Sequence, residues 1–476
     1  MRSFRDPAGC LIDRGGRLLR VVNREGVQNA QFWVEAKCLE PFRKAGRLVG
    51  TRVLSRAEAE DLGLGHAAMV LEHERIPFVG YPYEWPAEML AAAGELTLDL
   101  AEALLGDGLG LKDATPFNVL FRGAEPVFVD ALSVEQRMEK DPIWLPLAQF
   151  ERTFVYPLLA EKFAGVGLRQ TLGVAREGIE PEQMVKLLGP VRKWRPAYLG
   201  RVTIPAWLSK GRRVEEPGFY HRREARSADQ ARFILHGRLR GSRKALRRAA
   251  PAAEVRSVWS EYQGQECHYD QDDRTAKRRF VEQALRQLPA HSRVLDIGAN
   301  LGEYSRMAAE MGHQVVSIDL DAVSMGRLWR QAQGKKESVL PLVVDLAEPT
   351  PGTGWDNAEG RSFLDRARGQ FDCVLMLAVV HHLLVTHGVP LQDIVTLAGE
   401  LTRKTLVVEY VGPQDRMFRK LCRGREELYA SFGPEEFEAK LSSSFTIGER
   451  GQLKQSERVL YCAEKATASC EQICQP

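Results

Sequence analysis

Two carboxylates and an amide stand close together in the first half of the chain, in the stretch LKDATPFNVLFRGAEPVFVDALS. Asp113 lies five residues before Asn118, and Asp130 follows a short apolar run. In this order the first carboxylate can orient a hydroxyl group, while the amide and the second carboxylate offer oxygen ligands that suit Mg²⁺. The same residues could instead cap the turns of a hairpin. The spacing therefore indicates either a phosphoryl-transfer constellation or a structural turn.

A second set of carboxylates lies in the other half, each at the end of an apolar, strand-like run. These residues are Asp296, Asp319 and Asp345, and a turn that contains Gly298, Asn300 and Gly302 follows the first of them. Glycine lets the backbone turn sharply and approach a ligand closely, and Asn is the non-glycine residue best suited to a left-handed conformation. The second carboxylate suits ribose hydroxyls, and the third can accept from an adenine amino group. One such carboxylate could be a helix cap, but three at successive strand ends predict a ligand site.

Two adjacent histidines, His381 and His382, follow the fourth strand-like run, FDCVLMLAVV. Imidazole titrates near neutrality and can remove a proton from a hydroxyl or ammonium group. A pair of histidines at this point can equally serve packing and the start of a helix. General-base catalysis by one of them is therefore a hypothesis beside a structural alternative. We expect no metal site, because no carboxylate or cysteine at ligand spacing accompanies His387 and this pair.

The elements that must position these groups differ between the two halves. The first half has short strand-like runs, the helical stretch PAEMLAAAGELTLDLAEALLGDG, a hairpin around Arg122–Glu125 and further helix, which is an α+β pattern. The second half alternates strands with helices, as is typical of a mostly parallel sheet covered on both faces. The run Arg212–Arg248 carries twelve basic and four acidic residues. It predicts a solvated connector with some helix, or alternatively a cradle for an anionic acceptor.

Composition sets the remaining limits. The chain has 476 residues, a formal charge of +3 and eight cysteines. The length predicts two domains, and the nearly balanced charge does not argue for a nucleic-acid partner. No CxxC pair occurs, so we expect reduced thiols in a cytoplasmic protein. We also expect neither a secretory signal nor a membrane span, because no apolar run is long enough. The predicted division is a first domain at 1–210, a basic connector at 211–255, a second domain at 256–465 and a polar tail at 466–476.

The order of the C-terminal motifs resembles the class I S-adenosylmethionine-dependent methyltransferases. The resemblance rests on DIGANLG, IDLD, VVDL, MLAVVHHL and the terminal runs FTIGER and ERVLYCAE. It implies a doubly wound, Rossmann-like sheet of seven strands that ends in an antiparallel hairpin. It also implies S-adenosylmethionine as cofactor, with its methionine part at Asp296 and the Gly298–Gly302 turn, its ribose at Asp319 and its adenine at Asp345.

A narrower likeness covers almost the whole chain. The stretches LAVVHHLLVTHGVPL, VVEYVGPQD and SERVLY are similar to the nodulation host-specificity (NoeA-like) methyltransferases of bacteria. This likeness implies methyl transfer to a glycan or a small molecule. The usual Gly-Gly turn before the fifth strand is replaced by LTRKTL, which is a departure from the methyltransferase pattern.

The stretch around Asp113 resembles the catalytic loop of the kinase and aminoglycoside-phosphotransferase superfamily. The resemblance implies that Asp113 orients a hydroxyl, that Asn118 and Asp130 bind magnesium, and that Mg-ATP is a cofactor if the domain is active. Yet the first half has no Gly-x-Gly-x-x-Gly turn and no Lys in an early strand, where Arg20 is the one basic residue clearly inside the run. We favour a kinase-like domain that holds substrate over a working phosphotransferase, and either of these over a fold unrelated to kinases.

The leading hypothesis is therefore an S-adenosylmethionine-dependent methyltransferase that acts on a small-molecule or glycan acceptor. Its kinase-like half would aid substrate binding. The alternatives are a bifunctional phosphotransferase–methyltransferase and a non-catalytic assembly scaffold.

Overall fold

The computed structural model describes residues 6–210, 224–252, 271–454 and 456–466, and the chain folds as two compact units. The first unit comprises Met1–Glu254 and Gly352–Gly360, and the second comprises Val255–Pro351 and Arg361–Pro476. Most of the polar tail predicted at 466–476 and part of the connector predicted at 211–255 lie outside the described residues. The limits predicted for the two domains stay predictions.

The first unit is α+β, as the sequence predicted. Its larger sheet is antiparallel and consists of β1 (Gly9–Arg14), β2 (Arg17–Val22), β3 (Thr51–Val53) and β4 (Met69–His73), in the order β1–β2–β4–β3. Two small antiparallel sheets follow, one of β5 (Leu109–Leu111) with β8 (Val134–Gln136) and one of β6 (Val119–Arg122) with β7 (Glu125–Phe128). The pair β6–β7 is the predicted hairpin around Arg122–Glu125. Its open end carries two of the candidate site residues, because Asn118 precedes β6 and Asp130 follows β7.

Helices make up most of the rest of the first unit. They are α1 (Val27–Glu35), α2 (Glu40–Lys44), α3 (Arg56–Asp61), α4 (Ala87–Leu104), α5 (Leu147–Phe150), α6 (Tyr156–Ala164), α7 (Leu168–Leu172), α8 (Pro181–Arg192), α9 (Pro196–Tyr198), α10 (Ile204–Lys210) and α11 (Ala228–Ala249). Helix α4 is the predicted helical stretch, and it is apolar around most of its circumference. It is therefore a buried helix of the core rather than a surface helix.

The prediction that the basic run is solvated is wrong for one face of helix α11, which is buried. Leu235, Leu239 and Leu246 recur at helical spacing and are buried. The guanidinium of Arg243 pairs with Glu95 of α4 at 2.5 Å and with Asp99 at 2.8 Å. The basic run thus contains an amphipathic helix that belongs to the first unit, since its charges meet the acidic side chains of α4.

The second unit is α/β and is built on one seven-stranded sheet. Its strands are β9 (Arg293–Ile297), β10 (Gln314–Asp319), β11 (Val339–Val343), β12 (Phe371–Met376), β13 (Thr402–Tyr410), β14 (Phe445–Gln452) and β15 (Val459–Lys465). They pair in the order β11–β10–β9–β12–β13–β15–β14, and only the last two strands run antiparallel to their neighbours. This is the doubly wound sheet with a terminal hairpin that the sequence predicted. The strand order reverses between β9 and β12, so a ligand crevice is expected at the carboxyl ends of these strands.

Seven helices of the second unit are described. They are α12 (Gln271–Arg286), α13 (Glu303–Glu310), α14 (Ala322–Lys335), α15 (Phe363–Ala367), α16 (Leu391–Leu401), α17 (Arg416–Cys422) and α18 (Pro434–Leu441). The central strands are nearly continuous apolar runs with buried side chains, as expected for a sheet covered on both faces. In either unit, none of the helices that can be described is both long and apolar enough to cross a membrane.

Candidate active site

The turn that follows β9 adopts the conformation that its residue types predicted. Gly298 and Gly302 have φ angles of 70° and 73°, and Asn300 has a φ of 49°. A Cβ atom on Gly298 would lie 2.5 Å from Val379 Cγ2, and one on Gly302 would collide with Leu328. The turn therefore requires glycine at both positions, and it brings bare backbone to the carboxyl end of β9.

Asp319 ends β10 and connects this strand to the glycine turn. One of its carboxylate oxygens accepts the backbone N–H of Asn300 and the other accepts that of Asp321, both at 2.9 Å. Burial raises the pKa of Asp319, while these backbone donors lower it. A carboxylate has about four acceptor positions, so both oxygens can still accept hydroxyl donors from a ligand. The apolar side chain of Leu320, which follows directly, is exposed, and sequence analysis did not single it out.

Asp296 lies inside the second unit. Its carboxylate accepts a 2.5 Å hydrogen bond from Ser305 Oγ of α13, which in turn accepts one of 2.8 Å from Ser317 Oγ of β10. Burial raises the pKa of Asp296 to about 6, against the lowering effect of the Ser305 hydrogen bond. Asp296 thus connects β9 to α13 directly and, through Ser305, to β10. Its contact with the methionine part of the cofactor stays a prediction.

Asp345 follows β11 and lies beside the end of β10. The neighbouring Val344 N–H donates to the backbone carbonyl of Asp319 at 3.0 Å, which fixes this proximity. The Asp345 carboxylate accepts the N–H of Ala347 at 2.8 Å. This local hydrogen bond is similar to that of a helix cap, which was the alternative role for such a carboxylate. The Asp345 carboxylate still has acceptor positions open for a ligand. A hydrogen bond to an adenine amino group stays a prediction.

His381 and His382 follow β12, with their ring centroids 4.3 Å apart. His381 is buried and its Nδ1 has no hydrogen-bond partner, whereas His382 is partly exposed. Burial lowers the pKa of His382 to about 4, with a further lowering from His387 and Arg458. Burial also holds the pKa of His381 well below its ordinary value. Both rings are therefore neutral at physiological pH, the form in which an imidazole accepts a proton.

Comparison with known protein families bears on the chemistry of this crevice. Residues 269–409 match the family model of a methyltransferase domain, a range that contains the glycine turn, the three strand-end carboxylates and both histidines. The chain contains a methyltransferase domain. The predictions of an S-adenosylmethionine-dependent methyltransferase, and of S-adenosylmethionine as its cofactor, are confirmed.

The chain is also similar to a bacterial relative along almost its whole length. It is 28% identical over 472 residues to the nodulation protein NoeA of Rhizobium meliloti (strain 1021). The match covers 98% of this chain and 95% of NoeA. The predicted resemblance to the NoeA-like methyltransferases is thereby confirmed.

Solved structures of methyltransferases match more weakly. WbdD is 16% identical with a TM-score of 0.33, over 44% of this chain and 45% of the WbdD chain. The N-methyltransferase NodS from Bradyrhizobium japonicum WM9 is 17% identical with a TM-score of 0.30, over 41% of this chain and 99% of the NodS chain. The matched region thus spans less than half the length of WbdD. Likenesses this weak carry no argument, and the fold of the methyltransferase unit rests on its own sheet order.

The methyltransferase unit contains a buried ionic cluster whose charges act on His381. Sequence analysis missed most of this cluster. Glu409, at the end of β13, is fully buried and pairs with Lys277 of α12 at 2.7 Å and with Arg458 at 3.4 Å. Arg458 also donates two hydrogen bonds, of 2.8 and 3.2 Å, to Asp415. These charges contribute to the pKa of His381, so the cluster and the histidines are electrostatically connected. Lys277 lies 132 residues from Glu409 in sequence, and no local spacing could have marked the pair.

The three candidates of the first unit lie near one another, as the kinase-like resemblance implied. Asn118 and Asp130 face each other across the open end of the β6–β7 hairpin, where the N–H of Val129 donates to the Asn118 carbonyl at 2.9 Å. Burial raises the pKa of Asp113, and the charge of Asp130 raises it further. Ser133 connects the two residues, because its hydroxyl accepts the Asp113 N–H at 3.4 Å and its own N–H donates to the Asp130 carbonyl at 3.3 Å.

Arg20 changes what this constellation can hold. Its guanidinium lies 3.6 Å from the Asp130 carboxylate, and its Nε is buried without a hydrogen-bond partner, as is Nδ2 of Asn118. Magnesium would need the oxygen atoms of Asp130 and Asn118, yet a fixed cation already neutralises Asp130. As arranged, these residues do not fit Mg-ATP.

Proposed function

We propose that the chain transfers the methyl group of S-adenosylmethionine to a hydroxyl or amino group of a small-molecule or glycan acceptor. The observation that carries the proposal is the hydrogen bond between Asp319 and the Asn300 backbone. It joins the end of β10 to the glycine turn, so a carboxylate and bare backbone lie together at the switch point of the sheet. The cofactor supplies an electrophilic methyl group on a sulfonium. The chain binds the cofactor, removes the proton of the acceptor and excludes water.

In this proposal each strand end has a separate part in holding the cofactor. The Asp319 carboxylate accepts from the ribose hydroxyls, and Asp345 accepts from the adenine amino group. The turn from Gly298 to Gly302 lies against the methionine part. Leu320 covers an apolar face of the adenine, because its side chain is exposed beside Asp319. These are the residue types that a nucleoside with free hydroxyls and an amino group requires.

His382 is the general base of the proposal, and His381 supports it. His382 is the more accessible of the two rings, and it is neutral well below physiological pH because its pKa is about 4. A neutral ring can take the proton of the acceptor on one of its nitrogens while the oxygen or nitrogen of the acceptor bonds to the methyl carbon. The bond between that carbon and the sulfonium sulfur breaks at the same time, and S-adenosylhomocysteine leaves. Most of the rate gain comes from alignment in a dry pocket rather than from this proton transfer.

Helix α12 excludes water from the crevice in this proposal. Lys277 attaches it to Glu409 at the end of β13, and Arg274 attaches it to Glu303 at the start of α13, at 3.2 Å. These ion pairs hold α12 near the carboxyl ends of the strands, where the ligands bind. A cover of this kind strengthens the electrostatic interactions beneath it.

The first unit holds the acceptor rather than transferring phosphate. The ion pair between Arg20 and Asp130 supports this choice over a bifunctional phosphotransferase. Arg243 and Arg247 of α11 are already paired with Glu95, so the proposal assigns neither of them to an anionic acceptor. We further propose a cytoplasmic location, in keeping with the reduced thiols expected from the sequence.

The proposal is tested by methyl transfer from S-adenosylmethionine that carries a deuterated methyl group. The purified chain is incubated with a small-molecule and glycan extract from cells that lack its gene, and mass spectrometry detects the labelled product. His382→Ala should lower the rate by about a hundredfold or more, which is the usual contribution of a general base. The matched control is His387→Ala, an exposed histidine in the same segment, which should leave the rate unchanged.

The pH dependence gives a second readout of the same role. Since the neutral form of His382 prevails above about pH 4, the rate should be level between neutrality and mildly acidic pH and should fall only near that value. A wild-type rate in His382→Ala, or a fall in the wild-type rate centred on the ordinary imidazole pKa, would contradict the assignment.

A further inference from the structure

Helix α10 turns its apolar face outward. Ile204, Trp207 and Leu208 are exposed, whereas Ala206 on the opposite side is buried. The three exposed residues have the spacing i, i+3 and i+4, so they lie on one face of the helix. Trp207 is 73% exposed, which is unusual for the largest apolar side chain. An amphipathic helix in a water-soluble unit normally buries this face.

The preceding segment extends this apolar face. Helix α8 is interrupted at Gly189, which has a φ of 75°, and Pro190 follows, so the chain leaves the helix direction there. Val191 and Trp194 are exposed, Trp194 by 62%. Thr203, next to the start of α10, donates a 2.6 Å hydrogen bond to the carbonyl of Lys193. Trp194 and Ile204 therefore lie on neighbouring stretches of chain.

We name this surface the tryptophan face. It consists of Val191, Trp194, Ile204, Trp207 and Leu208, five of the fourteen exposed large apolar side chains in the described residues. One short segment thus carries more than a third of them, whereas single exposed apolar residues elsewhere need no explanation.

Basic side chains surround the tryptophan face. From Gln183 to Lys210 the sequence has six basic and no acidic residues. Arg201 is turned inward to an ion pair with Glu151, but Lys186, Arg192 and Arg195 are exposed. Lys193 Nζ lies 5.5 Å from the Trp194 ring centroid, a cation–π distance. A partner of this surface must therefore offer both an apolar environment for the tryptophan rings and negative charge for the basic side chains.

We propose that the tryptophan face docks onto an anionic lipid bilayer and inserts its side chains at the headgroup level. Tryptophan is enriched at membrane interfaces because its ring is apolar and its N–H is polar. Lys and Arg beside an inserted apolar face are attracted to anionic headgroups. Charge complementarity selects this occupant over a second copy of the chain, because two copies would bring their basic side chains together. The binding is peripheral and goes beyond the proposed methyl transfer.

The test is co-sedimentation of the full chain with vesicles of phosphatidylcholine that contain phosphatidylglycerol. The chain should pellet with these vesicles at low salt, and less with phosphatidylcholine alone. The double variant Trp194→Ser, Trp207→Ser should bind about tenfold more weakly or worse. The charge variant Lys193→Glu, Arg195→Glu should lose about as much, and added salt should weaken the wild-type binding.

The matched control is Phe233→Ser, since Phe233 is an aromatic residue of α11 that is equally exposed, at 72%. It should bind vesicles like the wild-type chain. Circular dichroism should be unchanged in all variants, because none of the substituted side chains is buried. Failure of the wild-type chain to bind anionic vesicles, or equal binding by the double tryptophan variant, would overturn the proposal. So would a homodimer in light scattering that the tryptophan substitutions dissociate, since a second copy would then cover the face.

Discussion

Both units of the chain bring carboxylates together at the ends of strands, but the groups that pair with these carboxylates differ between the units. In the methyltransferase unit Asp319 is held by backbone N–H groups from two neighbouring loops. In the first unit Asp130 faces the guanidinium of Arg20. A carboxylate held by neutral donors keeps its charge and spare acceptor positions for a ligand. One that is paired with a fixed cation is already neutralised, so the same residue type implies a ligand site in one unit and not in the other.

The ion pairs of the two units differ in depth as well as in role. The Lys277–Glu409 pair is 2.7 Å long, and its side chains are 7% and 0% exposed. The Arg20–Asp130 pair is 3.6 Å long, and its side chains are 12% and 22% exposed. Because desolvation makes an unpaired buried charge costly, the deeper pair should be far more sensitive to the loss of one partner. Substitutions in both units can test this difference.

The largest expected effect is on the stability of the methyltransferase unit. Glu409→Ala removes the buried carboxylate that pairs with both Lys277 and Arg458, so the free energy of unfolding should fall by about 3–5 kcal/mol. Chemical denaturation followed by circular dichroism measures this change. The control is Glu400→Ala, which removes the exposed ion pair with Arg368 and should cost less than about 1 kcal/mol. Equal losses in the two variants would show that burial does not distinguish these pairs.

A smaller effect is expected at Asp296 and depends on pH. The folded pKa of about 6 lies above 3.8, the ordinary pKa of an aspartate, so folding favours the protonated carboxyl. Its contribution to stability is complete below the unfolded pKa and is lost as the pH rises through about 6. Asp296→Asn does not titrate and should escape this loss, so its stability relative to the wild-type chain should improve between pH 4 and pH 6, by up to about 3 kcal/mol. Denaturation at several pH values measures the difference, and a difference independent of pH would contradict the raised pKa.

The smallest effect is expected in the kinase-like constellation. Asp130→Ala should leave binding of the methyl donor unchanged, because Asp130 is outside the methyltransferase domain. Mg-ATP should not raise the melting temperature of the wild-type chain, since a ligand that binds the folded state would stabilise it. Thermal denaturation with and without Mg-ATP provides the measurement. A rise with Mg-ATP that is absent in Asp130→Ala would restore the phosphotransferase as a working function and remove the contrast between the units.

Much of the architecture could be predicted from the sequence because it depends on local patterns. The alternation of apolar strands and helices predicted the methyltransferase sheet, and the residues around Arg122–Glu125 predicted the β6–β7 hairpin. Asn300 and the two glycines predicted positive φ angles, which the turn adopts. In each case the physical cause acts over a few neighbouring residues, by side-chain periodicity or backbone sterics.

The features that sequence analysis missed depend on contacts between distant residues. Some helix was predicted in the basic run, but the packing of α11 was missed, because the many basic residues concealed an apolar stripe and their acidic partners lie on α4. Lys277 and Arg458 carried no signal, because each is defined by its contact with Glu409. The exposure of Trp194 and Trp207 was equally hidden, since a tryptophan in a helical segment is more often buried than not.

The central claim is that the cofactor binds at the strand ends of the methyltransferase unit through Asp319, and that the kinase-like constellation is not needed. Titration calorimetry with S-adenosylhomocysteine tests it most directly, on the wild-type chain, Asp319→Ala and Asp130→Ala. The account predicts binding by the wild-type chain and by Asp130→Ala with equal affinity, and a loss of about a hundredfold or more in Asp319→Ala, which removes charged hydrogen bonds to two hydroxyls. Undiminished binding in Asp319→Ala, or a loss in Asp130→Ala instead, would contradict it.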